Sequence, residues 1–157
     1  MHVRPAQEAD FPAIKKLIHQ VGINPIGLDW GRFILAVSEE GEMIGCGQVK
    51  PHGDGSLELA SIAVQPAWRH QGIATALIEK LIEKENGPLY LTCRPELESF
   101  YARFGFRKLE TEELPAYFRR IQRLIRFLKR LRALKEGPLV LYRPAGERAS
   151  LPPVQKT

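Results

Sequence analysis

Residues 57–82 read LELASIAVQPAWRHQGIATALIEKLI. The first eight are apolar but for Glu58 and Ser61, the length and composition of a strand, and Pro66 ends the run. Beyond the loop, Leu77, Ile78, Leu81 and Ile82 recur with the period of one buried helix face. A strand that feeds a helix across a short loop confines the chain to folds in which helices cover a sheet. The junction lacks the usual caps. Helix starts favour Ser, Thr, Asp or Asn, whose oxygens satisfy free backbone N–H groups. Here Gly72 and Ala74 stand at the start, no Asp or Glu lies in the first turn, and Arg69 sits just upstream. A helix N-terminus without side-chain caps and flanked by a cation is a site for an external anion.

The flanking segments extend this unit into one α/β domain over residues 1–145. Residues 2–6 read as a short strand, and Asp10 as the cap of a helix to about His19 that buries Ile14, Leu17 and Ile18. Residues 32–52 read as a hairpin turning near Glu40-Gly41. GPLYLTC, residues 87–93, is nearly all apolar and suits a strand buried inside a sheet. A helix ended by Gly105, a strand at 106–110, a basic helix over 114–135 and a strand at 137–144 complete the order β-α-β-β-β-α-β-α-β-α-β. The polar, proline-containing segment 146–157 is expected to fray.

Length and charge narrow the function classes. The 157 residues include no apolar run near the roughly 20 that a membrane span needs. The first residues, MHVRPAQEADF, lack the apolar core of a secretory signal. Cys46 and Cys93 each lie in a strand-like run, which points to buried free thiols and a cytoplasmic location. The net charge of +5 is local: residues 114–135 hold eight Lys or Arg and no acid, and the rest of the chain has 15 basic against 18 acidic residues.

Two common phosphate-binding patterns, G-x-x-x-x-G-K-S/T and G-x-G-x-x-G, are absent. Arg69-His70-Gln71-Gly72-Ile73-Ala74 instead matches the Q/R-x-x-G-x-G/A signature of the GNAT superfamily of acyl-CoA-dependent N-acyltransferases. Upstream, LELASIAVQPAWR resembles the family's fourth strand and following loop; downstream, SFYARFGF resembles its FYxxxGF segment. The resemblance covers roughly residues 2–110. It implies a mixed, mostly antiparallel sheet of about six or seven strands flanked by helices, to which the basic helix before the last strand is an addition. It also implies acetyl-CoA as co-substrate, with no metal. The anion at the helix start is then the cofactor's pyrophosphate, cradled by N–H groups of Gln71, Gly72, Ile73, Ala74 and Thr75. Gly72 and Ala74 leave room for the backbone to approach it, and Arg69 or His70 adds charge. The pantetheine arm pairs with the backbone at Ile62, Ala63 and Val64.

The same resemblance places two catalytic groups. Tyr101 matches the tyrosine that protonates the departing thiolate in many members, the alternative being an aromatic packing role. Glu58, four residues before Ile62, matches a glutamate that deprotonates the amine through water in several members, the alternative being a solvated strand residue. At the end of residues 87–93, Arg94-Pro95 stands where many members carry an asparagine, and Arg94 is available to an acidic acceptor or a cofactor phosphate. Cys93 has no neighbouring histidine in sequence and is not expected to act as a nucleophile, since the family transfers the acyl group directly. His2, His19 and His52 lack paired ligand spacing, consistent with the absence of a metal site.

The expected function is transfer of acetyl from acetyl-CoA to a primary amine, carried by a small molecule, a protein N-terminus or a lysine. The alternative is a GNAT-fold module that binds CoA and docks a partner, nucleic acid or an anionic surface through the basic helix. On that helix Tyr117, Ile121, Leu124, Leu128 and Leu131 form an apolar stripe, widened by Phe118, Ile125 and Leu134. The stripe is expected to pack on the domain or on a second copy. Nucleic acid and membrane rank below a solvated basic face or an acceptor-site rim, because lipid insertion needs the stripe to be free.

Overall fold

The computed structural model describes residues 1–146; the expected C-terminal tail lies outside the described residues from 147 onward. Seven strands form one sheet in the order β1-β2-β3-β4-β5-β7-β6. They are β1 (His2–Pro5), β2 (Phe33–Val37), β3 (Met43–Pro51), β4 (Leu57–Val64), β5 (Leu89–Cys93), β6 (Arg107–Lys108) and β7 (Leu139–Arg143). Among the described residues the α-helices are α1 (Phe11–Gln20), α2 (Ile73–Lys84), α3 (Glu98–Ala102) and α4 (Ala116–Arg130). This is the predicted order, and the fold is of the mixed type expected. β1 and β2, β2 and β3, β5 and β7, and β6 and β7 pair antiparallel, whereas β4 and β5 run parallel through Leu57↔Leu89 and Glu58↔Tyr90. Apolar β5 is an interior strand, as its composition requires.

The chain divides into two compact units, residues 1–50 with 59–86 and residues 51–58 with those from 87 onward. In the first, Ile14, Leu17 and Ile18 of α1 pack on Phe33, Leu35, Val37, Cys46 and Ala63, one face of the sheet. The opposite face takes α2 at unusually short range. A Cβ on Gly45 would lie 3.0 Å from Ile73 Cγ2, and one on Gly47 would lie 2.6 Å from Ile62 Cδ1 and 3.1 Å from Leu81 Cδ1. These two glycines let the helix settle against the strands. Asp10 does not cap α1 through its side chain. Its carboxylate accepts from Arg4 at 2.8 and 2.9 Å and from the Gln7 N–H at 2.8 Å, which tethers the chain entering α1 to β1.

In the second unit Phe118, fully buried, anchors α4 among Tyr90, Leu114 and Val140, with its ring 5.0 Å from that of Tyr90. Ile125 presses on the segment before β7: a Cβ on Gly137 would stand 2.5 Å from Ile125 Cγ2. The expected stripe is therefore rotated. Phe118, Ile121, Ile125 and Leu128 turn inward, but Leu124, Phe127 and Leu131 remain 57%, 57% and 61% exposed. Helical order also ends earlier than the basic segment, at Arg130.

Candidate active site

The strand–loop–helix junction has the predicted architecture. After β4 a 3-10 turn at Pro66–Trp68 leads to the exposed residues Arg69, His70, Gln71 and Gly72. His70 (φ 61°) and Gly72 (φ 78°) both adopt left-handed backbone, and Gly72 is the N-cap of α2 with no side-chain cap. Ile73, 3% exposed, pins the first turn against Gly45. The N–H groups of the opening turn have no intrahelical acceptor, and the first turn holds no acid. A Cβ on Gly72 would meet nothing within 4 Å, so the space in front of the helix is open. The glycine is thus required by its backbone angle, and the absent side chain leaves the approach clear. These features fit an anionic cofactor head group. Arg69 Nε donates weakly to Val64 O at 3.4 Å, folding the cation back along the end of β4.

Within β4, Ser61 has φ 58°, a left-handed residue inside a strand. It is held from the neighbouring strand: Gln48 Nε2 donates to Ser61 Oγ at 3.0 Å. Alternation nevertheless continues across it, with Leu59, Ser61 and Ala63 buried and Ala60, Ile62 and Val64 half-buried. The backbone at Ile62, Ala63 and Val64 is therefore presented by a locally kinked strand.

In the second unit Glu58 is not a free strand carboxylate. His52 Nε2 donates to Glu58 Oε2 at 2.7 Å, and the two side chains are 13% and 14% exposed. Oε1 has no hydrogen-bond partner among the described residues. The His52 ring stacks on Tyr117 at 3.6 Å between centroids and 15° between planes, and meets the Phe118 edge at 5.5 Å. Asp54, in the same β3–β4 turn, accepts the Tyr117 N–H at 2.9 Å and both the N–H and hydroxyl of Ser56. Those donors, Ser56 first, lower its carboxyl to about 2. Sequence reasoning missed the His52–Glu58 pair and its Tyr117 platform. The signal was the tight turn at 52–56, where His52 N donates to Ser56 O at 2.9 Å and folds His52 back toward the start of β4.

Tyr101, on α3, is half-buried between the edges of Phe100 and Phe106, with ring centroids 5.2 and 6.0 Å away. Burial, with the nearby Cys93 thiolate form adding repulsion, pushes its phenol up to about 12. Burial likewise raises Cys93 to about 11, aided by Glu98 and Glu96. Cys93 is therefore a protonated thiol near neutrality and a poor nucleophile. Cys46 is also free and buried, raised by burial to about 12. Arg94 is exposed before the 3-10 turn at Pro95–Leu97. Among the described residues no group of three or more His, Cys, Asp or Glu is placed to hold a metal ion, and no helix is long and apolar enough to cross a membrane.

Residues 29–108 match the family model described as an acetyltransferase (GNAT) domain. The chain belongs to the GNAT family. An N-acetylglutamate synthase from Neisseria gonorrhoeae, complexed with coenzyme A and L-arginine, superposes with a TM-score of 0.71 at 20% identity. That match covers 93% of this GNAT chain but 33% of the synthase, so the chain spans about a third of that relative. Rv2747 from Mycobacterium tuberculosis, crystallised with CoA, gives a TM-score of 0.69 at 23% identity, covering 92% of this chain and 99% of its own. The ribosomal-protein-S18-alanine N-acetyltransferase from Escherichia coli gives 0.60 at 16% identity, with 99% and 98% covered. At these identities the likeness concerns the fold.

Proposed function

We propose that this protein is an N-acetyltransferase that moves an acetyl group directly from acetyl-CoA to a primary amine. The observation that carries the reading is the uncapped, glycine-led start of α2 with open space before it, within a chain of this family. The N–H groups of residues 71–75 hold the pyrophosphate, with Arg69 and His70 beside them, and the backbone of Ile62, Ala63 and Val64 aligns the pantetheine arm. Acetyl-CoA supplies the activated acyl group.

Glu58 serves as the base for the acceptor amine through Oε1, while His52 on Oε2 fixes the carboxylate's rotamer. Tyr101 is the acid for the thiolate. A phenol at about 12 is a reluctant donor to a thiolate in water, but the burial that raises Tyr101 raises thiols in the same surroundings, as Cys93 at about 11 illustrates. That shared shift narrows the gap between donor and acceptor, which favours transfer.

The test is release of free thiol from acetyl-CoA against a panel of amino acids, polyamines and peptides. Turnover with one class, lowered roughly tenfold or more in Glu58→Gln at unchanged acetyl-CoA affinity, is the expected result. Calorimetric CoA binding without turnover across the panel would replace the enzyme by the binding module.

A further inference from the structure

We infer that the outer face of α4 is a docking surface for an anionic lipid bilayer. Leu124, Phe127 and Leu131 lie at spacings of three and four along one line of the helix, and each is more than half exposed. Beside that line, toward solvent, stand the exposed Arg123, Arg126 and Arg130. None of these three arginines has a carboxylate within salt-bridge distance among the described residues. No acid occurs anywhere in residues 114–135 to neutralise them.

The inward face is already occupied, since Phe118 and Ile125 are committed to Tyr90, Val140 and Gly137. The outer apolar line is thus surplus to folding, and its cost to solubility calls for a partner. Two properties define that partner. It must be negatively charged over an extended area, because the basic flank is unpaired. It must also accept apolar side chains beside that charge. A lipid surface offers both: the acyl boundary takes up leucine and phenylalanine, while long arginine side chains reach back to the headgroup phosphates. Nucleic acid satisfies only the charge and leaves the apolar line without a role. A second copy satisfies only the apolar line and brings two arrays of cations together.

Flotation tests this with vesicles of phosphatidylcholine alone and of equimolar phosphatidylcholine and phosphatidylglycerol. Three proteins are compared: the wild type, Phe127→Ser with Leu131→Ser, and Arg123→Gln with Arg126→Gln and Arg130→Gln. All the altered side chains are exposed, so melting temperature and CoA affinity should stay near wild type, and the outcome is independent of acetyl transfer. The wild type is expected to float with the anionic vesicles and not with phosphatidylcholine alone, and each variant to partition at least about tenfold more weakly. A wild type that fails to float overturns the inference. So does a serine variant that floats as well as the wild type. Without vesicle binding, salt-sensitive duplex DNA binding lost only in the arginine variant would assign the face to nucleic acid. A dimer dissolved by the serine changes would assign it to self-association.

Discussion

Replacing Gly72 separates two contributions that the structure makes distinct. In the free protein a Cβ there would meet nothing within 4 Å, so the cost common to both variants is conformational. Holding an L-residue at φ 78° costs about 1–2 kcal/mol, which in a domain of this size lowers the melting temperature by a few degrees, on the order of 2–8 °C. Gly72→Ala and Gly72→Glu should share that cost, since it depends on the backbone. They should differ in ligand binding. A glutamate carboxylate about 6 Å from one phosphate charge repels it by roughly 3 kcal/mol at an effective dielectric of about 20, or about a hundredfold in affinity. That separation is shorter than the Debye length of about 10 Å at 0.1 M salt, so screening removes only part of the effect. The assay pairs thermal melting with calorimetric titration of CoA. The expected pattern is similar melting temperatures for both variants and a CoA affinity for the glutamate variant about a hundredfold below that of the alanine variant. Equal affinities in the two variants would refute the placement of the pyrophosphate at this helix start.

Tyr101→Phe should lower kcat by about 10²-fold while leaving the KM for acetyl-CoA nearly unchanged. With the phenol at about 12, no basic limb of the wild-type kcat–pH profile below about pH 10 should belong to Tyr101. Steady-state kinetics at saturating amine checks both points. Asp54 predicts a pH effect of definite sign. Its carboxyl is lowered in the folded state from 3.8 to about 2, so its contribution is present above the unfolded value and lost as pH falls through about 2. Asp54→Ala should therefore melt below wild type at neutral pH, with the gap closing toward about pH 2, as thermal scans across pH will show.

Periodicity explains what was legible. The order of seven strands and four helices follows from runs such as 57–64 and 89–93 and from helical spacing such as Leu77, Ile78 and Leu81. The uncapped start of α2 was legible because it is defined by omissions, a missing cap and missing acids, which a sequence displays directly. Three features were not. Asp10 reads as a cap, but Arg4 of β1 takes its carboxylate through two hydrogen bonds, a contact that the cap pattern does not reveal. On α4 the apolar arc from Phe127 through Leu131, Leu124 and Tyr117 to Phe118 spans about half the circumference. One sheet face cannot cover all of it, and helical spacing does not say which edge is left out. Tyr90 and Val140 settle the matter by taking Phe118. The partner of Glu58 was hidden for a different reason. His52 carries no motif, and its proximity depends on the tight turn closed by the Gly55 N–H on His52 O at 3.0 Å.

That turn also explains how α4 can sit beside the candidate base without disturbing it. α4 begins after Pro115, whose side chain caps nothing, so its opening N–H groups need acceptors from elsewhere. Asp54 supplies one for Tyr117, and its negative charge suits the positive end of the helix dipole. The bond fixes the rotation of the first helical turn. It thereby lays the Tyr117 ring flat on His52 and drives Phe118 into the core. His52, held from one face by Tyr117 and at its edge by Phe118, has little freedom to swing away from Glu58 Oε2. The five residues from His52 to Ser56 thus tie two requirements together: the start of the basic helix and the orientation of the candidate base. Rotating α4 to bury Leu124 and Phe127 would pull Tyr117 off His52 and break the bond to Asp54. The exposed apolar line is in this sense a consequence of the anchoring of α4 beside Glu58.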